Sequence, residues 1–295
     1  MARTLSSPGN GVKERDKKLL LAATRRSFTI IVYALLIALA FSMIFPYLWM
    51  LANSFKSRTD FFTNPYSVIP MPPTLSTYYD ALTIGRMGVY LGNSILYAAA
   101  VLVVQLFIDS LAAYSFARVE FPGRETLFLA VLATLMLPGS VTLIPTFLIA
   151  HGLGLTNTFT GVVLPGFAGA FGIFLLRQFF LNIPRELEDA ARIDGSGFFG
   201  TYWRIMLPLA KPAMVTLGVF IFLNEWSSFV WPLIILSDWK KYPVTVGIAL
   251  FRDVNQINWP AVFAGSTIVS FPIIILFIIA QEYIIGGISL SGLKG

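Results

Sequence analysis

Six stretches of mainly apolar residues, each 23–25 long, constrain this chain more than any other feature: 28–52, 93–117, 126–150, 159–181, 212–236 and 261–285. A helix rises about 1.5 Å per residue, so about 20 apolar residues match the ~30 Å hydrocarbon core of a bilayer. Charged residues make up 12% of the 295, and the mean hydropathy is +0.75; a soluble domain carries about 25%. So little charge cannot coat a particle of this size in water, which excludes a soluble globule, a coiled coil and a disordered chain. With no Cys and a single His, His151, nothing supports thiol chemistry, a Cys-ligated metal centre or a His-based triad. The first window lacks a small-residue cleavage site after it and reads as an anchor rather than a signal peptide. The expectation is an all-α integral membrane protein with six transmembrane helices.

Lys and Arg set the orientation, because cytoplasmic loops retain them. With the N-terminus inside, fifteen of the 21 basic residues fall on the cytoplasmic side, Arg118, Arg124, Arg177, Arg185, Arg192 and Arg204 among them. Both termini are therefore expected in the cytoplasm. The net charge of +6 then follows from topology, and no nucleic-acid partner is needed. Residues 1–27 read as a basic cytoplasmic tail, 28–285 as the six-helix membrane domain and 286–295 as a cytoplasmic C-terminal tail. Outside, residues 54–92 hold Asn64-Pro65-Tyr66, Pro70, Pro72 and Pro73 and are expected to be extended with short turns. Tyr47, Trp49, Tyr78, Tyr79 and Tyr90 beside them suit an interfacial belt.

Residues 182–212 are the polar interlude between the fourth and fifth windows. Pro184 stands where a helix can begin, since its missing N–H costs nothing in a first turn. Glu186, Glu188 and Asp189 follow, favouring the positive end of the helix dipole. Gly195 is placed to end the helix in a left-handed conformation. Ala190 and Ala191 leave a smooth face that another backbone can approach. The local reading is a short exposed helix in need of a partner.

The order Asp189-Ala190-Ala191, Gly195, Ile205, Leu207-Pro208 resembles the "EAA" signature of importer permeases in the ATP-binding-cassette superfamily. Asp189 departs from it, since the signature has Glu there; Glu186 and Glu188 are candidates to substitute. Ser54-Phe55-Lys56, Ala112-Ala113-Tyr114 to Ala117-Arg118, Phe121-Pro122-Gly123-Arg124, Gly152-Leu153-Gly154-Leu155 and 174–180 are similar to the carbohydrate branch, the nearest type being the smaller, six-helix permease of maltose-type importers. The resemblance implies a type I importer permease fold in a bacterial or archaeal cytoplasmic membrane. It further implies a second, dissimilar permease, two ATPase subunits, an external sugar-binding protein and a sugar substrate, in a lipid setting. It makes 182–212 the coupling segment, with Glu186, Glu188, Asp189, Ala190, Ala191, Asp194, Gly195, Ile205, Leu207 and Pro208 as ATPase-coupling residues. The glycine-rich tail of that family reaches between the ATPase subunits, which nominates Gly286, Gly287, Gly292, Lys294 and Gly295. The chain has no G-x-x-x-x-G-K-[ST] cradle, so ATP and its Mg²⁺ are expected on the partner ATPases, and no cofactor or metal on this chain, which is a transport subunit and not an enzyme.

Polar groups within the windows are costly, about 2.5–3.5 kcal/mol for a central ionised Asp or Lys on insertion scales, and so face a bundle interior or a wet cavity. Asn224, Glu225 and Trp226, with Ser228, offer amide, carboxylate and aromatic chemistry suited to a sugar. Asp109, with Gln105 one turn earlier, is the second candidate. Each either lines the path or makes a structural hydrogen bond. The alternative function is an ion-coupled secondary transporter using Asp109 and Glu225, though no internal repeat favours it. Pro138, Pro145, Pro232 and Pro272 mark kinks. The 238–260 loop, with Trp239, Tyr242, Asn255, Asn258 and Trp259, either meets the binding protein or anchors at the interface.

Overall fold

The computed structural model describes residues 9–250 and 258–291. Every regular element among them is helical. The first helix, α1 (Gly9–Ser54), is followed by two short helices, α2 (Arg58–Thr63) and α3 (Ser76–Thr83), and then by the long α4 (Met87–Arg118). Next come α5 (Arg124–Thr134), α6 (Gly139–Gly152), α7 (Phe159–Val163) and α8 (Ala170–Leu181). The polar interlude holds α9 (Glu186–Ile193), α10 (Phe198–Thr201) and α11 (Leu207–Leu209), leading into α12 (Lys211–Trp226). The chain finishes with α13 (Val230–Ile235), α14 (Val244–Ala249) and α15 (Trp259–Ser291).

Three of these are long and apolar enough to cross a bilayer unaided: Phe28–Ser54 of α1, α4, and Trp259–Glu282 of α15. Three bent pairs supply further candidates, for six spans if each pair counts as one. Helices α5 and α6 meet at 99°, Phe159–Gly166 and α8 at 41°, and Phe198–Leu209 and α12 at 78°. The first break falls at Pro138, which precedes α6 in an extended conformation and has no N–H with which to continue a helix. The second falls after a short turn carrying Pro165, with Gly169 extended before α8 begins.

The fifth window, 212–236, is not one helix. It stops at Trp226, leaves helical geometry over 227–229 and resumes as the six-residue α13. Its N-terminal end instead runs back through the bend at Ala210 into the second half of the polar interlude. Hydropathy counts apolar side chains but carries no information on chain direction, so it joined 212–236 across a break. Segment 54–92 also differs from its extended expectation by forming α2 and α3. Lys56, fully buried, organises this segment by donating its ammonium to the backbone carbonyls of Asn64 (3.0 Å) and Ser67.

The core forms around α4. Val101, Ala113, Tyr114 and Ala117 pack with Leu176 and Phe180 of α8, Leu217 of α12, and Tyr202 and Met206 between α10 and α11. Along α1 the apolar side chains from Phe28 to Leu48 face outward. The seam between α4 and α8 is close because α8 begins with small residues, as helices packed in lipid prefer. A Cβ on Gly172 would lie 2.1 Å from Asp109 Oδ2, and one on Gly169 would lie 2.2 Å from Gln105 Nε2. Gly218 of α12 has room, its Cβ meeting Leu102 and Leu106 at 3.4 and 3.6 Å. Gly172→Ala is therefore expected to lower the thermal midpoint of the purified chain in detergent. Gly218→Ala should leave it unchanged or raise it, by the ~0.5–1 kcal/mol a helix gains when Gly becomes Ala. Equal midpoints for the two variants would refute the close seam.

Candidate functional site

The 182–212 segment folds into a helical arm. Glu186, Glu188 and Asp189 occupy the first turn of α9, as the helix dipole favours. Gly195 adopts φ +81°, a left-handed conformation that suits a residue without Cβ. Ser196 N–H donates to Ala191 O (2.8 Å) and Gly195 N–H to Arg192 O (3.0 Å), the paired bonds of a Schellman cap. The helix stops where the sequence says it should.

Its two sides differ. Glu186, Leu187, Asp189, Ala190, Ile193 and Asp194 are exposed, Ile193 to 87%, whereas Glu188 and Ala191 are buried. Glu188 Oε1 lies 2.7 Å from Arg118 Nε at the end of α4, both side chains 5% exposed. The contact is an ion pair, the angle being unsuited to a hydrogen bond. The Tyr114 hydroxyl donates to Glu188 Oε2 (3.3 Å). Arg118 Nη2 also donates to the carbonyls of Phe180 (2.7 Å) and Ile183, the residues at which α8 gives way to the arm. Glu188 is thus spent inside the chain, and Glu186 and Asp189 remain as the outward carboxylates of the signature.

Beyond Gly195, Phe198 stacks against Tyr114 (4.8 Å between centroids) and the Tyr202 hydroxyl is paired with Ser110 (2.7 Å). Residues Tyr202–Met206 form a π turn, with Leu207 N–H reaching Tyr202 O. Pro208 has no N–H to offer Arg204, so the regular i to i−4 pattern fails there. Ile205 and Leu207 are half-buried at this joint and Pro208 is exposed. The Leu-Pro step of the signature therefore makes the corner from which α12 departs.

Within the membrane windows the candidates separate. Asp109 is fully buried; its Oδ1 accepts from Gly169 N–H (2.9 Å) and its Oδ2 from Gln105 Nε2 (3.1 Å). Gly169 precedes α8, so the carboxylate caps that helix and meets the positive end of its dipole. Trp226 is 1% exposed, stacks on Phe222 (5.3 Å) and donates Nε1–H to Val269 O (3.2 Å) on α15; it offers no open face to a sugar. Asn224 is exposed, Glu225 and Ser228 half-buried, and Glu225 Oε1 rests 3.2 Å from where a Cβ of Gly166 would lie. Thr245 Oγ1 donates to Ser228 O. Asn224 and Glu225 stay together beside the break before α8, while Asp109 and Gln105 hold the other side of that break.

Sequence reading missed Tyr114 and Arg118 as partners of the arm; their i, i+4 spacing puts them on one face of α4, but the matching acid is 70 residues away. Trp239 lies beneath the Arg86 guanidinium, 3.7 Å from its ring centroid. Tyr242 is half-buried, and Asn258 and Trp259 stand at the start of α15. Gly286 and Gly287 fall within α15; Gly292, Lys294, Gly295 and Asn255 lie outside the described residues.

Residues 109–289 match the family model of the binding-protein-dependent transport system inner membrane component. The arabinooligosaccharides transport system permease protein of Halalkalibacterium halodurans is 35% identical over 260 residues, covering 87% of this chain and 93% of that protein. The trehalose/maltose transport system permease protein of Thermococcus litoralis is 33% identical, covering 88% and 94%. Among solved structures, a bacterial ABC transporter involved in import of the acidic polysaccharide alginate superposes with a TM-score of 0.80 at 26% identity, over 88% of this chain and 97% of that one. The matched model spans the arm, its rivet to α4 and the capped break of α8 alike, and the chain belongs to the family of binding-protein-dependent transport system inner membrane components, as a multi-pass membrane protein with the type I importer permease fold.

Proposed function

We propose that this chain is one permease subunit of an ATP-driven oligosaccharide importer, forming half of the translocation path. The observation that carries the reading is the arm. It presents a capped helix with outward Leu187, Asp189, Ala190 and Ile193, fastened to α4 by a buried ion pair, on a chain without a nucleotide cradle of its own. Six spans with both termini in the cytoplasm place the arm inside, where two ATPase subunits grip it and hold ATP and Mg²⁺. A second, dissimilar permease completes the path, and an external sugar-binding protein delivers the substrate. Sugar is the substrate class because the similar permeases named above serve arabinooligosaccharide, trehalose or maltose, and alginate import. The glycine-rich end, Gly286, Gly287, Gly292, Lys294 and Gly295, is assigned to ATPase contact. Asn224 and Glu225, beside the break before α8, are assigned to the path.

Coupling requires the ATPase to hold the arm differently in its two states, since a ligand shifts an equilibrium only by its differential affinity. Co-purification of the chain with an ATPase whose turnover rises with binding protein and oligosaccharide is the expected result. Transport by the chain alone down an ion gradient would overturn it. Glu188→Ala leaves Arg118 buried without its counter-charge, a loss of about 3–5 kcal/mol for a buried pair. It should uncouple ATP hydrolysis from uptake, read as sugar carried per ATP. Gly195→Val places a β-branched residue in left-handed geometry at a cost of about 1–2 kcal/mol, with no other part of the chain close enough to clash; ATPase capture should fall while membrane insertion persists. Glu225→Gln is expected to raise the sugar concentration giving half-maximal uptake and to leave ATPase capture intact. An unchanged uptake curve removes Glu225 from the path.

A further inference from the structure

Behind α9, on the side opposite Leu187, Ala190 and Asp194, a cleft of about 390 Å³ separates the arm from the end of α4. Its walls are Tyr114, Arg118, Val119, Glu120, Arg185, Arg192 and Phe198. Arg185, Glu188 and Arg192 recur at i, i+3 and i+7 and so share the face of α9 turned toward α4. Glu188 is taken by Arg118 and Tyr114. Arg185 and Arg192 make no ion pair and no side-chain hydrogen bond among the described residues. The acids nearby are Glu120 on the wall and Asp189, which lines an adjoining smaller cleft with Arg118, Arg185 and Arg192; neither comes within ion-pair distance of either free arginine. The cleft thus holds two unspent guanidinium forks beside a third that anchors the joint.

We infer that this cleft is a binding site for a phosphate group, carried by the headgroup of an anionic lipid or by a soluble phosphate ester. Guanidinium forks match phosphate oxygens in pairs of parallel hydrogen bonds. The volume lies within the range of small-ligand pockets. A phosphate here spans Arg185 and Arg192 on the arm and the end of α4, so its occupancy stiffens the joint through which the arm acts. Leu187 and Ala190, assigned to the ATPase, lie on the other face of α9, and Asp189 borders the adjoining cleft; phosphate and ATPase are expected to bind together.

The test uses the full chain, first alone and then with its ATPase. Thermal midpoints are measured in phosphatidylcholine nanodiscs with and without phosphatidylglycerol, and separately in detergent titrated with inorganic phosphate or glucose 6-phosphate. A rise in the midpoint with phosphatidylglycerol identifies the lipid as the source; a rise with the soluble compounds identifies the ester. Arg185→Gln/Arg192→Gln should weaken binding about tenfold per arginine removed, as charge-assisted hydrogen bonds imply. Arg204→Gln, exposed on the same segment but outside the cleft, should bind as the unaltered chain does. Arg185→Lys/Arg192→Lys, which keeps charge without the fork, should fall between. No response to any phosphate, equal responses in the Arg185/Arg192 and Arg204 variants, or loss of the response once the ATPase is bound would each overturn the assignment.

Discussion

Arg118 and Glu188 meet where α4 leaves the membrane-spanning part of the chain, and the rest of the arm is arranged about that contact. A buried ion pair gains little net free energy over an apolar contact of the same shape, because both charges must be desolvated. Its value is positional. Arg118 holds Glu188 with Nε, and with Nη2 the carbonyls of Phe180 in α8 and Ile183 just beyond it, so one guanidinium fixes the end of one helix, the exit of a second and the inner face of a third. Tyr114, a turn earlier, closes the remaining carboxylate oxygen and stacks on Phe198. These contacts make the position of α9 relative to α4 a matter of side chains that are all buried or paired.

A second constraint acts deeper. Breaking a helix inside an apolar layer leaves N–H groups with no water to satisfy them. The chain meets this at the break before α8 with the Asp109 carboxyl group, whose Oδ1 accepts from Gly169 N–H at the N-terminal end of that helix. Gly169 and Gly172 let the carboxylate approach by having no Cβ. Acid and glycines form one device: the acid tolerates burial because the helix end is there, and the helix end tolerates burial because the acid is.

This explains which parts of the structure were legible in the sequence. The helical membrane class followed from hydropathy, and the α9 boundaries from Pro184, the acidic first turn and Gly195, since those signals are local. Asp109 was visible as an anomaly, but its role depended on Gly169, sixty residues on. The break at 227–229 escaped because the apolar runs on either side of it carry the window average across Asn224, Glu225, Ser227 and Ser228. Trp226 looked like a sugar platform because it neighbours Asn224 and Glu225; one helical position turns it toward Phe222 and α15 instead. Glu188 and Asp189 are both carboxylates, and the 3.6-residue period, read against the position of α4, tells the buried acid from the exposed one.

The arm has two attachments of different character. Toward α4 it is held by side chains, the ion pair and the Tyr114–Phe198–Tyr202 stack. Toward α12 it is held by backbone, through the π turn at Tyr202–Met206 and the 78° corner at Ala210. A side-chain attachment transmits position while both partners keep their shape; the backbone corner is where the i to i−4 ladder is interrupted, by the π turn and by Pro208. A displacement of α9 should then move α4 as a rigid rod and swing α12 about its corner. Those two helices flank α8, whose break carries Asp109 on the α4 side and Glu225 on the α12 side. Under the proposed function, a difference between the two motions is taken up at that break, which is the reason for assigning the path there.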